Sequence, residues 1–343
     1  MQLKKEGNDA PVIIYPPTIP LPEDKEEIIA LWQSVFHDSE DYIDLFFNQV
    51  YNPDNTLVIK TPPIPNAPPH NQLSIINYQL SIVNYQLPPP PPSSQIVAAL
   101  QMVPYQIKCG NQILPAAYVC GVCTHPSQRK KGIMKILMTE AMAEMRRRGY
   151  VVSIVIPAEP WLFDFYKKFG YTLPLNRYIL QSATSTSATS ASARADLQSS
   201  IFAECTSAHF YYFDRKQRER RCTVLHNAHD YASILQDLRA EGGNAYILFK
   251  NDTPTGMAFV SKIEDNTLII KEILYETTTD ITLLATHISR QYGSAPLSMR
   301  IPACALNDDW AMNPEIHPYG LACLLDPHQS LFLSDLHVTL MLD

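Results

Sequence analysis

Three cations and a glycine, Arg129-Lys130-Lys131-Gly132, stand where an apolar strand pattern gives way to a helical one. The first turn of a helix offers unpaired N–H groups and the positive end of the dipole, which suits a phosphate. Gly132 removes the side chain where a ligand must come close to the backbone, and the cations add charge beside it. A second group follows: Phe165-Tyr166-Lys167-Lys168-Phe169-Gly170-Tyr171. A phenol with a pKa of about 10 stays protonated at neutral pH, yet can give its proton to a thiolate of similar basicity.

Elements must hold these groups in place. Apolar spacing predicts helices over Pro22–His37 and Ser39–Val50, with Ser39 as N-cap of the second. Strands are expected at Thr56–Lys60, Gln95–Cys109 and Ala116–Thr124. A helix over Gly132–Arg148 is ended by Gly149, and its stripe of Met134, Leu137, Met138, Ala141 and Met145 is core against a sheet. Tyr150–Ile156 reads as a central strand, followed by a helix from Pro160 to Lys168.

Arg129-Lys130-Lys131-Gly132-Ile133-Met134 resembles the Q/R-x-x-G-x-G/A pyrophosphate loop of the GNAT acetyltransferases, with Met134 replacing the family's small residue. Phe165 to Tyr171 resembles the family's F-Y-x-x-x-G-F/Y segment, whose tyrosine protonates the departing CoA thiolate. Gly121-Val122-Cys123-Thr124-His125-Pro126 is similar to a run in the enhanced-intracellular-survival-type members, which carry tandem GNAT-like domains. The resemblance covers roughly residues 20 to 180. It implies an α/β GNAT fold, a mixed sheet flanked by helices, that transfers acetyl from acetyl-CoA to a small-molecule or peptide amine. Val122, Cys123 and Thr124 would pair with the pantetheine arm, and Arg129, Lys130, Lys131, Gly132, Ile133, Met134 and Lys135 would hold the pyrophosphate. Tyr166 would be the acid. Tyr118 to Cys123 offers no carboxylate, so the base is left among His125, Glu159 and the terminal carboxylate at Asp343, which the resemblance nominates.

Two stretches divide the chain. Residues 61–94 hold a duplicated heptad, Gln72 to Tyr78 and Gln79 to Tyr85, closed by Pro88 to Pro92, and read as a loop insertion. Gln181 to Ser200 is rich in Ser, Thr and Ala and reads as a connector. The expected layout is a GNAT domain over 1–180, a linker over 181–200 and a second domain over 201–343. In the last, strands at Ala245–Lys250, Gly256–Ile263 and Thr267–Leu274 precede a helix at Asp280–Tyr292 and a strand at Pro296–Ile301. Tyr275 to Asp280 enters that helix with acids and no glycine, so this domain is read as a degenerate GNAT-like copy. Asp335–Asp343 reads as a closing strand.

The totals fit two domains: 343 residues, 46% hydrophobic, 18% charged. A net charge of −7 disfavours nucleic acid as a partner. No apolar run has membrane length, and the charged start, Met1 to Glu6, leads into no signal core, so a cytoplasmic protein is expected. Seven scattered cysteines argue against a disulfide framework, and Cys120 and Cys123, three apart on a strand, are poorly placed to share a metal; no metal is expected. Arg146-Arg147-Arg148 is read as charge complementing the helix dipole. A homo-oligomer and a non-catalytic CoA-binding module both remain open from the sequence.

Overall fold

A computed structural model describes residues 14–62, 94–182, 197, 199–262, 267–293, 295–301, 315–326 and 336–342. The duplicated heptads, the polyproline run, most of the Ser/Thr/Ala stretch and Asp343 lie outside the described residues. The chain divides into two compact units: residues 1–38, 51–102 and 119–144, and residues 39–50, 103–118 and 145–343.

In the first unit, α1 (Lys25–Val35) docks on β1 (Thr56–Thr61) and the start of β2 (Gln95–Cys109). The strands pair antiparallel, with a register shift between Ile59 and Lys60. Two polar ties fix the helix: Lys60 Nζ donates to Asp24 at 2.7 Å in a buried pair, and Glu27 accepts from Ile96 N at 2.9 Å. Ile28, Leu31 and Trp32 face inward from α1. Trp32 lies against β3 (Gln112–Thr124), where a Cβ on Gly121 would stand 2.3 Å from the indole ring. Only glycine admits this contact, and Gly121 also has φ +58°. The indole N–H donates to Asp38 at 2.7 Å. From β3 a short turn leads into α3 (Ile133–Arg147), which buries Ile133, Leu137, Met138, Ala141 and Met145.

In the second unit, α2 (Glu40–Gln49) is capped by Ser39, whose hydroxyl accepts from Tyr42 N at 3.2 Å. Further elements are β4 (Val152–Val155), α4 (Pro160–Lys167), β5 (Leu173–Ser182), β6 (Ile201–Glu204), α5 (Phe210–Glu219), β7 (Cys222–Leu225) and α6 (Ala228–Ala240). After them come β8 (Asn244–Lys250), β9 (Thr253–Lys262), β10 (Leu268–Tyr275), α7 (Thr278–Gln291), β11 (Leu297–Ile301) and β12 (Glu315–Leu324). The strands run in the order β4-β12-β5-β11-β10-β9-β8-β6, and β7 pairs with Gln106–Cys109 of β2. β12 is antiparallel to both β4 and β5, while β10 and β11 are parallel and joined by α7.

The run β8-β9-β10-α7-β11 repeats the β1-β2-β3-α3-β4 succession. At the second copy the helix N-terminus is closed by its own chain. Asp280 accepts from the backbone N and Oγ1 of Thr277, both at 2.8 Å, and pairs with Lys250 Nζ at 2.7 Å.

Two expectations need correction. Gln181 and Ser182 belong to β5, where they pair with β11, so the stretch read as a connector does not begin at Gln181. The described part of 335–343 is not a strand of the sheet. It makes one bridge, His337 to Thr223, and Leu340 takes a left-handed φ of +54° that breaks the extended path.

Candidate functional site

The predicted phosphate loop is shaped by its backbone. His125 N donates to Val97 O at 2.8 Å, fixing the end of β3 to β2. A single helical turn, Pro126–Gln128, follows. Lys130 and Gly132 then both take positive φ, +65° and +78°, before α3 starts at Ile133. A left-handed non-glycine residue costs about 1 kcal/mol or more, and such strain collects where a loop is held for a ligand. Arg129, Lys130, Lys131 and Gly132 are exposed, whereas Ile133 is buried and anchors the helix. A Cβ on Gly132 would meet nothing within 4 Å, so the surface there is open. Arg129 Nε donates to Thr124 O at 3.3 Å, and Lys131 Nζ to Gln128 at 3.1 Å. Met134 is half-buried and Lys135 exposed.

The strand leading into the cradle carries its own signal. Ala116 to Val119 are buried, but Cys120, Gly121 and Val122 are half-exposed. Cys123 is buried, its thiol donates to Ala99 O at 3.8 Å, and burial pushes its pKa up to about 12. Thr124 Oγ1 is a buried hydroxyl with no partner among the described residues. Such an atom costs roughly 1–3 kcal/mol until something bonds it. An orphaned hydroxyl, a half-exposed strand and an open glycine at a helix N-terminus together fit a ligand with amide and phosphate groups, as acetyl-CoA has.

Tyr166 lies in the second unit on α4, 4% exposed, its ring 5.2 Å from Phe165 and 5.9 Å from Tyr171. The two phenols differ. Tyr171 is fully buried, pairs with Ser153 Oγ at 2.7 Å, and burial raises its pKa above the ordinary phenol value.

The possible bases are scattered. His125 Nδ1 accepts from Ser127 N at 3.3 Å and pairs with Ser127 Oγ at 2.8 Å, so the ring serves the turn. Glu159 is the exposed residue before α4 and makes no side-chain cap. Asp343 is outside the described residues.

Residues 92–173 match the Acetyltransferase (GNAT) domain family. The chain carries a GNAT acetyltransferase domain. The matched residues span β2 through α4 and contain the cradle and Tyr166. Solved structures extend the likeness in fold to most of the chain. A GCN5-related N-acetyltransferase from Anabaena variabilis superposes with a TM-score of 0.66 at 12% identity, over 92% of this chain and 73% of that one. A probable N-acyltransferase of Enterococcus faecalis gives 0.63 at 16%, over 91% and 73%. Eis1 of Mycobacterium abscessus gives 0.57 at 10%, over 92% and 74%. No curated protein matches the chain. At these identities the likeness is one of fold.

One cleft was not foreseen. About 500 Å³ in the second unit is lined by Tyr105, Phe210, Asp214, His226 and Asp230, among others. His226 is 3% exposed; its Nε2 donates to Thr339 O at 2.9 Å, and Nδ1 has no partner among the described residues. Burial lowers its pKa, keeping the ring neutral. No sequence period marks the four-residue β7, so nothing local in the chain brings these residues together.

Proposed function

We propose that the chain moves an acetyl group from acetyl-CoA to a primary amine by direct attack in a ternary complex. The observation that carries this reading is the loop at Lys130–Gly132. It is strained, cationic and open, it stands at the N-terminus of α3, and it lies in residues that match an acetyltransferase family. The backbone of Val122, Cys123 and Thr124 receives the pantetheine arm, and residues 129–135 receive the pyrophosphate. Tyr166 gives its proton to the thiolate as the carbon–sulfur bond breaks. The base that accepts the amine proton is read among Asp343, Glu159 and His125, with His125 the least suited because Ser127 occupies its Nδ1. We read residues 1–180 as the catalytic domain and 201–343 as a degenerate partner that shapes the acceptor side. The capped and ion-paired N-terminus of α7 supports the second part.

One observation favours a second reading, a CoA-binding module without catalysis: the strand before the loop, Tyr118 to Cys123, bears no carboxylate. A turnover screen separates the two. Acetyl-CoA is offered with a panel of aminoglycosides, polyamines, amino acids and peptides, and thiol release is followed. Turnover with one class supports the enzyme. CoA binding by calorimetry without turnover across the panel supports the module.

A further inference from the structure

All six described cysteines are thiols, and two of them face each other. Cys109 ends β2, Cys222 begins β7, and the antiparallel register sets them directly opposite. Gly110 N donates to Arg221 O at 2.7 Å, so the neighbouring pair is the hydrogen-bonded one. The Cys222 carbonyl points to the other edge of β7, where it accepts from His337 N at 3.0 Å. Cys109 and Cys222 therefore occupy a non-hydrogen-bonded site, where opposed Cα atoms stand only about 4.5 Å apart. That separation falls within the range a disulfide spans. The two sulfurs are 3.1 Å apart.

We infer that Cys109 and Cys222 are a reversible dithiol–disulfide couple that staples β7 to β2. Cys109 is half-buried, so a reagent reaches it first, whereas Cys222 is 3% exposed. With a low-molecular-weight disulfide as oxidant, the Cys109 thiolate attacks one sulfur, breaking that S–S bond and releasing one thiolate. The Cys222 thiolate then attacks the Cys109 sulfur and releases the second. Two protein thiols lose two electrons and two protons, and the oxidant becomes two thiols. Among the described residues, the other cysteines compete poorly. Burial pushes Cys123 and Cys205 up to about 12, and Cys120 and Cys123 are three apart on one strand, so their side chains diverge. Because β7 bonds His337 along its other edge, the staple also steadies the end of the chain, residues 336–342.

The test equilibrates the full chain in glutathione buffers of graded potential, quenches with acid, alkylates under denaturing conditions and maps the peptides. The expected result is one cross-link, Cys109 to Cys222, that dithiothreitol reverses. The thermal midpoint should rise by roughly 5 °C or more on oxidation, since the bridge closes a long loop. Cys109→Ser and Cys222→Ser should each abolish both effects; Cys109→Ala and Cys222→Ala replace them if circular dichroism shows either serine variant unfolded. The inference is overturned if both thiols stay alkylatable in oxidising buffer, if Cys109 stops at the glutathione adduct, or if another pair is linked.

Discussion

Replacing Gly132 separates the cost of its backbone angle from its role at the ligand. At φ +78° an L residue pays about 1–2 kcal/mol, and a new Cβ touches nothing within 4 Å. Gly132→Ala should therefore lose about that much unfolding free energy and no more. Gly132→Asp adds a carboxylate beside the N-terminus of α3, which returns about 0.3–1 kcal/mol, so it should be no less stable than the alanine variant. Towards CoA the order reverses. A carboxylate about 5 Å from a phosphate charge, at an effective dielectric near 20, is repelled by about 3 kcal/mol, and salt removes about half. What survives exceeds the 1.4 kcal/mol that makes a tenfold change. Calorimetry with CoA should show Gly132→Asp weakened more than tenfold and Gly132→Ala less, with circular dichroism unchanged. A folded aspartate variant that binds CoA within twofold of the parent would refute the cradle.

Gly121→Ala places a Cβ 2.3 Å from the Trp32 ring at φ +58°, so urea unfolding should show a loss of at least about 2 kcal/mol; a loss under 0.5 kcal/mol would mean that Trp32 does not pack there. Buried His226 and His337 have pKa values below the ordinary value, through burial and, for His337, Arg220. The unfolded chain takes up protons near pH 6.5 that the folded chain refuses, so stability present above that pH is lost as it falls, at up to about 1.4 kcal/mol per unit per histidine. Burial alone would raise Glu272, but Arg220 and His337 hold it below the usual carboxylate range, so its contribution persists until pH drops under about 4.3. The urea midpoint should thus fall from pH 7 to pH 5.5; a flat or rising midpoint contradicts this. Replacing Pro62 to Ser94 with a short Gly-containing turn should change unfolding free energy by less than about 2 kcal/mol, because closure entropy varies slowly with length; a larger loss would place the heptads in a core.

What the sequence made legible was local. Strand end, basic turn, glycine and helix start are contiguous at Thr124–Ile133, so the pattern names the cradle before any long-range contact is known. β12 was hidden for the opposite reason. Its Pro318 and Gly320 read as breakers, yet they flank a register shift, and a Cβ on Gly320 would stand 2.8 Å from the Val155 carbonyl of β4. The alternation Leu336, Val338, Leu340, Leu342 does report burial, with each side chain 5–7% exposed. It does not report pairing, because apolar alternation says which side chains are covered and not which backbone bonds are made. β7 has only four residues, too few to show a period, and with it the cleft at His226 and the facing cysteines went unseen. A general base depends on groups far apart in the chain, which no local pattern encodes.

The most direct test of the central claim uses Tyr166→Phe with the best amine from the panel. The substitution keeps the ring packed on Phe165 and Tyr171 and removes the phenolic hydroxyl with its proton. Turnover and CoA affinity are measured on the same preparation. The account predicts turnover lower by about 10²- to 10⁴-fold with CoA affinity essentially unchanged. Turnover near the parent rate would contradict it.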